Sequence, residues 1–393
     1  GTREDRSGEA LATHLVAHRT EEGLATIRDT VAPALEGREL ANFRELAAEA
    51  DALSEAVVIT RPVSSSDPPR GEGVSRRALL TVPARMLQAA RGDTGPMEQV
   101  TVQHPLHSAV RYGLSQALLG AVAAARNVSM AELLAEEWGL PLPAAAVPVH
   151  AQSGSERYYN AEKMIARRVA SLPHALVDDI PGQVGKQGAE MTRYLRWLSQ
   201  RIATLGGNDY QPVIHLDLHG ALGRLYDGHV GPMVVQLQAW ELAARPYCLR
   251  IESPVLQESR QAQIKAMKVL RSAAGLREVN VELVADEWAN NLGDILAFLE
   301  AGAADMIQIK MPDLGSIHNT VDAVLACKAA GIGALLGGSS TETELSACIS
   351  AQVALATQPD LIMAKPGVGT DEAISLVQNE MARTLGWIHQ RVR

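Results

Sequence analysis

The run VIHLDLH (213–219) decides the fold: it opens on apolar and β-branched residues, closes on polar ones, and is followed by a stretch of helical periodicity. Seven further runs share that form: VPVHAQ (147–152), LPHALVD (172–178), YCLRIES (247–253), VELVADE (281–287), MIQIK (306–310), GALLGG (333–338) and LIMAK (361–365). Helical connections alternate with them, among them GAEMTRYLRWLSQRIATLG, VLQESRQAQIKAMKVLRSAAG, SIHNTVDAVLACKAAG and TETELSACISAQVALAT. Strands alternating with helices at this spacing are βα units, and eight of them predict an α/β fold, a closed (β/α)8 TIM barrel over residues 141–393. A doubly wound open sheet would need a Gly-rich phosphate turn after its first strand, and AQSGSERYYN is not GxGxxG.

Residues 1–140 read differently. EEGLATIRDTVAPALEGREL and ANFRELAAEADALSEAVV are rich in Ala, Leu and Glu and predict interrupted helices, with no strand series in the first hundred residues. Between Arg61 and Arg77, ten of seventeen residues are Pro, Ser, Gly or Asp, the composition of a mobile loop. A strong helix follows His107, and Ser129-Met-Ala-Glu132 reads as a capping box opening another.

The chain has 393 residues, 47% of them hydrophobic and 21% charged, which suits a globular fold large enough for one barrel with a modest extra segment. A formal charge of −9 argues against nucleic acid as a partner. Three cysteines without a CxxC pair give no disulfide scaffold or thiolate zinc site and suit a reducing compartment. No apolar run reaches membrane-spanning length and GTREDRSGEA carries no targeting pattern, so the expected location is the cytoplasm, away from membranes.

Three runs end in acids: Asp217 in HLDLHG, Glu252 in RIESP and Asp286 in VADEW. Strand C-termini of a (β/α)8 barrel all face one mouth, so strands three, four and five bring these carboxylates together as a hard oxygen set suited to Mg²⁺. In MIQIK, Gln308 and Lys310 alternate with Ile307 and Ile309, so the polar pair shares the inward face and Lys310 becomes a candidate general base on carbon. His174, from strand two, lies across the mouth as an opposed base. Gln152 ends strand one and is placed to orient a substrate carboxylate or amine. In GGSSTETE, Ser339-Ser-Thr-Glu342 reads as a capping box whose backbone N–H groups and Ser339 and Ser340 hydroxyls are aimed at an anionic carboxylate. His215 and His219 flank Asp217 on one face, which leaves a zinc alternative open.

Taken in order, HSAVRYGLSQALL, AQSGSERYYN, LPHALV, HLDLHG, VADEW, QIKMPDLGSI, GGSSTETE and AKPGVGTDE resemble the methylaspartate ammonia-lyase family of the enolase superfamily, from about His107 to the C-terminus. The resemblance implies Mg²⁺ on Asp217, Glu252 and Asp286, K⁺ as an activator, and a homodimer. It implies Lys310 as the base for the (2S,3S) substrate and His174 as the base for the (2S,3R) epimer. Gln152, Gln308, Ser339, Ser340 and Met363 would bind an amino dicarboxylate that loses ammonia to give mesaconate through an enediolate. Alternatives are an epimerase or dehydratase acting on another carboxylate, or a silent regulatory barrel.

The chain departs from the family's pattern in three places. Only GLATIRDTVAPALEGRELANF is similar to the last part of the family's β-rich capping domain, so a helical, atypical N-terminal region stands in place of the full domain, with residues 45–103 resembling an insertion. Ser339-Ser340 stands for a threonine-cysteine pair. Leu335 and Met363 stand where tyrosine and leucine are usual.

Overall fold

The computed structural model describes residues 20–62, 97–339, 342–364 and 367–392. The loop expected between Arg61 and Arg77 lies almost wholly outside them. The chain divides into two units, residues 52–106 and the remainder.

In the described residues of the smaller unit an antiparallel strand pair forms, β1 (Ser54–Pro62) and β2 (Met97–Pro105), in register from Ser54 opposite Pro105 to Pro62 opposite Met97. This corrects the expectation that no strands occur in the first hundred residues. The helix predicted over 41–58 is α1 (Phe43–Asp51) alone; from Ser54 the β-branched run Val57-Val-Ile-Thr60 takes over, and such residues favour extended backbone.

In the larger unit, α2 (Ser108–Arg126) and α3 (Met130–Glu137) precede the barrel, and the capping box read at Ser129 is present, Ser129 Oγ accepting from the Glu132 amide at 3.1 Å and Glu132 accepting from the Ser129 amide at 2.7 Å. Eight strands then follow: β3 (Val149–His150), β4 (Ser171–His174), β5 (Val213–Asp217), β6 (Leu249–Glu252), β7 (Val281–Ala285), β8 (Met306–Lys310), β9 (Gly333–Gly337) and β10 (Leu361–Met363). They pair in sequence, all parallel, and β10 closes on β3. Parallel neighbours need long crossovers, and the helices supply them: α4 (Tyr159–Ala166), α5 (Ala189–Gly206), α6 (Val230–Ala244), α7 (Arg260–Leu276), α8 (Leu292–Ala301), α9 (Ile317–Ala329), α10 (Glu344–Thr357) and the closing α11 (Thr370–Val392). On α5, Met191, Tyr194, Leu195, Leu198 and Ile202 form a buried stripe at helical spacing.

Strand alternation divides the core. Ile214, Leu216, Leu249, Ile251, Leu283, Ile307, Ile309, Leu336 and Ile362 belong to the main cluster shared with the helices. Residues of the opposite parity, Val284, Met306, Leu335, Leu361 and Met363, form a separate apolar cluster inside the barrel on the β7 to β10 side. Polar residues with the inward parity on β3 to β6, His150, Ser171, His215, Asp217 and Glu252, are fully buried. Gln308 and Lys310 share the parity of Met306, as their spacing predicted.

One helix start differs from expectation. α10 begins at Glu344, and its capping box is Thr343 with Ser346, the Thr343 amide donating to Ser346 Oγ at 2.9 Å, rather than Ser339 with Glu342. The cap must be the extended residue directly before the first helical turn, and the loop after β9 runs longer than the first Ser-x-x-Glu match allows.

Gly220, just past β5, has φ +79°, and a Cβ there would lie 2.7 Å from Leu256 Cβ. Replacing it with alanine combines left-handed strain with a clash, so Gly220→Ala is expected to lower unfolding free energy by about 1–3 kcal/mol in urea denaturation.

Candidate active site

Register brings the acids to one mouth. Asp217 at the end of β5 pairs directly with Glu252 at the end of β6, and Asp286 follows the last residue of β7. All three carboxylates are within 1% of complete burial. His174 joins the first two, its Nε2 3.5 Å from Asp217 Oδ2 and its Nδ1 3.7 Å from Glu252 Oε2. Donor atoms of His174, Asp217 and Glu252 all lie within 4.8 Å of one another.

The inward aim of His174 is not a product of strand alternation. By parity it should follow Leu172, which packs in the main core on the helix side. At His174 and Ala175, however, φ is +63° and +42°, a left-handed pair that ends the strand early and swings the imidazole into the barrel. The run expected as strand over 172–178 therefore stops at His174. Arg157 braces this turn: it is 9% exposed, its Cζ lies 4.2 Å from the centre of the Tyr194 ring, and its Nη2 donates to the Ala175 carbonyl at 3.4 Å.

Lys310 lies four strands from His174 around a ring of eight, on the opposite wall, with Nζ 2.5 Å from Asp286 Oδ1. Gln308 Nε2 donates to Glu252 Oε1 at 3.0 Å, and His215 Nε2 meets Glu252 Oε2 at 2.9 Å. These bonds fix both oxygens of Glu252.

Other expected residues are less closely joined to this group. Gln152, half-buried two residues past β3, accepts a hydrogen bond on its carbonyl from Thr370 Oγ1 at 3.3 Å, and among the described residues no hydrogen bond joins its amide to the acids. Met363 ends β10 opposite His150 and is 2% exposed. Ser339 is half-buried in the loop after β9, and Ser340 lies outside the described residues.

The zinc arrangement on His215, Asp217 and His219 does not form. His215 turns to Glu252, while His219, past the strand end with φ +44°, sends Nδ1 to Glu287 Oε1 at 3.0 Å. Sequence reasoning missed His150. Its Nδ1 lies 3.0 Å from Ser171 Oγ and its Nε2 3.4 Å from His174 Nδ1, and its ring lies over that of His215 with centroids 4.4 Å apart and planes tilted by 33°. The signal was present: His150 stands two residues before Gln152 and so shares its strand face.

The donor set tests whether a metal fits. Three carboxylates at one dry mouth, with one lysine ammonium beside them, leave an excess of two negative charges, and buried charge must be compensated. The histidines do not compensate it readily: burial, reinforced by His174 and Arg250, holds His150 well below the usual imidazole range, and burial with His150 and His174 does the same for His215. Oxygen donors with a net demand of two positive charges fit Mg²⁺.

Comparison with known proteins follows the same lines. A family model described as methylaspartate ammonia-lyase C-terminus matches residues 141–390, and one described as methylaspartate ammonia-lyase N-terminus matches residues 76–139. Methylaspartate ammonia-lyase 2 of Carboxydothermus hydrogenoformans is 46% identical over 73% of this chain and 69% of its own length. The Mg-complex crystal structure of β-methylaspartase from Clostridium tetanomorphum superposes with a TM-score of 0.78 at 36% identity, over 94% of this chain and 79% of that one. The Citrobacter amalonaticus methylaspartate ammonia lyase structure containing (2S,3S)-3-methylaspartic acid gives 0.80 at 35%, with the same coverage.

The imidazoles carry a pH prediction. With folded-state pKa values of His150 and His215 below the ordinary value of about 6.5, the unfolded chain binds more protons below that pH, so stability falls as pH drops through it and levels off above. The melting temperature of metal-free protein should rise from about pH 5.5 to about pH 7 and then flatten, with a shallower rise in His150→Phe.

Proposed function

This chain belongs to the methylaspartate ammonia-lyase family, and from that premise we propose that it removes ammonia from 3-methylaspartate, or a close amino diacid, to give mesaconate. The observation that carries the reading is the pairing of a buried carboxylate trio with Lys310 and His174 on opposite walls of the barrel.

The hydrogen to be removed sits on the carbon next to one substrate carboxylate and is very weakly acidic. Asp217, Glu252 and Asp286 would hold Mg²⁺, which when bound supplies positive charge beside that carboxylate as enediolate character develops and disfavours the ammonium form of Lys310. Lys310 Nζ then takes the C3 proton from one face. The electron pair left behind forms the C2–C3 double bond as the C2–N bond breaks, and ammonia leaves with its pair. His174, on the opposite wall, takes the C3 proton of the (2S,3R) epimer. Gln308 and His215 keep Glu252 oriented, while Gln152, Ser339 and Ser340 are assigned to the substrate's carboxylates and amine. Met363, on the apolar side of the barrel lining, is assigned to its methyl group.

Potassium as activator rests on the family resemblance, as does the homodimer, whereas the cytoplasmic location rests on the cysteine usage of the sequence. No single helix among the described residues is long and apolar enough to cross a membrane.

Incubation with (2S,3S)-3-methylaspartate, Mg²⁺ and K⁺ should raise the ultraviolet absorbance of the unsaturated product and release equal ammonia. No substrate-dependent signal would remove the assignment, and solvent deuterium in recovered substrate without ammonia would favour an epimerase. Lys310→Ala should lower kcat on the (2S,3S) epimer by about 10²–10⁴-fold with Mg²⁺ binding retained, while His174→Ala spares that epimer and loses the (2S,3R) one.

A further inference from the structure

The loops that follow Asp217 and Glu252 both bond to one further carboxylate, which itself directly follows Asp286. Glu287, adjacent to Asp286, places Oε1 3.0 Å from His219 Nδ1 in the loop after β5, and its Oε2 accepts from Ser253 Oγ in the loop after β6. The His219 amide in turn donates to Asp217 Oδ1 at 3.0 Å, and Ser253 directly follows Glu252. Backbone bonds continue the lacing: Leu218 N to the Glu252 carbonyl at 2.9 Å, Gly220 N to the Ser253 carbonyl at 2.7 Å, and Ser253 N to the Val284 carbonyl at 3.0 Å. One side chain thus reaches the segments that carry all three acids.

The backbone needs such a tie. His219 and Ser253 are left-handed, with φ of +44° and +47°, a conformation that costs a non-glycine residue on the order of 1 kcal/mol or more and persists where surrounding bonds impose it. Both residues are bound through their side chains to the same Glu287 carboxylate. The Glu287 side chain is 16% exposed, so these bonds sit at the edge of solvent rather than in it.

We propose that Glu287 is a positioning residue that fixes the mutual spacing of Asp217, Glu252 and Asp286 for a divalent cation, acting through His219 and Ser253. The inference rests on the assignment of those three acids as metal ligands. A ligand set spaced for a small hard ion loses affinity when its supporting bonds are cut, commonly by about 10–100-fold.

The test titrates the full-length chain with Mn²⁺ and follows the electron paramagnetic resonance signal of the free ion. Glu287→Ala should weaken Mn²⁺ binding by about 10–100-fold, and Glu287→Gln, which keeps an acceptor oxygen, by less. His219→Ala should weaken it too, and the Glu287→Ala/His219→Ala double variant should be no weaker than Glu287→Ala within about twofold, because both remove one connection. A general loss of fold would instead add the two effects. If Glu287→Ala does not fold by circular dichroism, Glu287→Gln and His219→Ala carry the comparison. Wild-type affinity in the Glu287 variants, or full additivity in the double variant, overturns the inference. Absence of Mn²⁺ binding by the wild-type chain overturns the ligand assignment itself.

Discussion

The constraint on which the rest of the site depends is the confinement of three carboxylates, nearly without solvent, at one end of a closed parallel barrel. Water cannot dissipate their repulsion there, so every neighbouring group is arranged around it. Lys310 pairs with Asp286, Gln308 and His215 each bond one oxygen of Glu252, and the His219 amide bonds Asp217. Two neighbouring imidazoles, His150 and His215, are themselves so buried that they favour the neutral form. Gln308 Oε1 and His215 Nδ1 have no hydrogen-bond partner among the described residues, and the cluster is short of positive charge, which is the condition under which a hard dication binds tightly.

The fold meets this demand by spending backbone strain next to the functional side chains. His174, Ala175, His219, Ser253 and Trp288 have positive φ without being glycine, and they lie at or just past the ends of β4, β5, β6 and β7. Those are the strands that supply His174 and the three acids. Left-handed turns let the chain leave each strand sharply and keep a polar side chain over the mouth, where continued alternation would send it elsewhere. The strain is local, and it is held by Arg157 on one side and Glu287 on the other.

Much of this arrangement was legible in the sequence, because it follows from a period of two. The eight runs after Pro141, the acid at the end of three of them, and the shared face of Gln308 and Lys310 all come from counting along strands. His174 points inward for a reason that counting misreads, since its parity is that of Leu172 and only its left-handed backbone turns it. His150 is readable by the same parity, yet a lone histidine in an apolar run such as VPVHAQ is not distinguished by spacing alone from an ordinary core residue. The cap of α10 was misplaced by one earlier Ser-x-x-Glu match, which sequence alone cannot rank against Thr343 and Ser346. In β1, a helix-rich prefix ran without a break into β-branched residues, and composition averaged over both hid the change.

The division of the barrel lining has a chemical consequence. Polar residues of β3 to β6, with Gln308 and Lys310 of β8, surround the place where charge would develop, whereas Val284, Met306, Leu335, Leu361 and Met363 form one apolar cluster in the lining of β7 to β10. Charge stabilisation depends on fixed dipoles and suffers from small displacements, so the polar half tolerates little change. An apolar wall discriminates by volume and by only a few kcal/mol per group, and methionine, unbranched and flexible, adapts to the shape presented to it. The two kinds of lining residue meet on β7 and β8, where Val284 precedes Asp286 and Met306 precedes Gln308 and Lys310, and only β9 and β10 contribute to the apolar cluster alone. On the function proposed above, replacements at Leu335 and Met363 would change which amino diacid fits while leaving Lys310 and His174 in place.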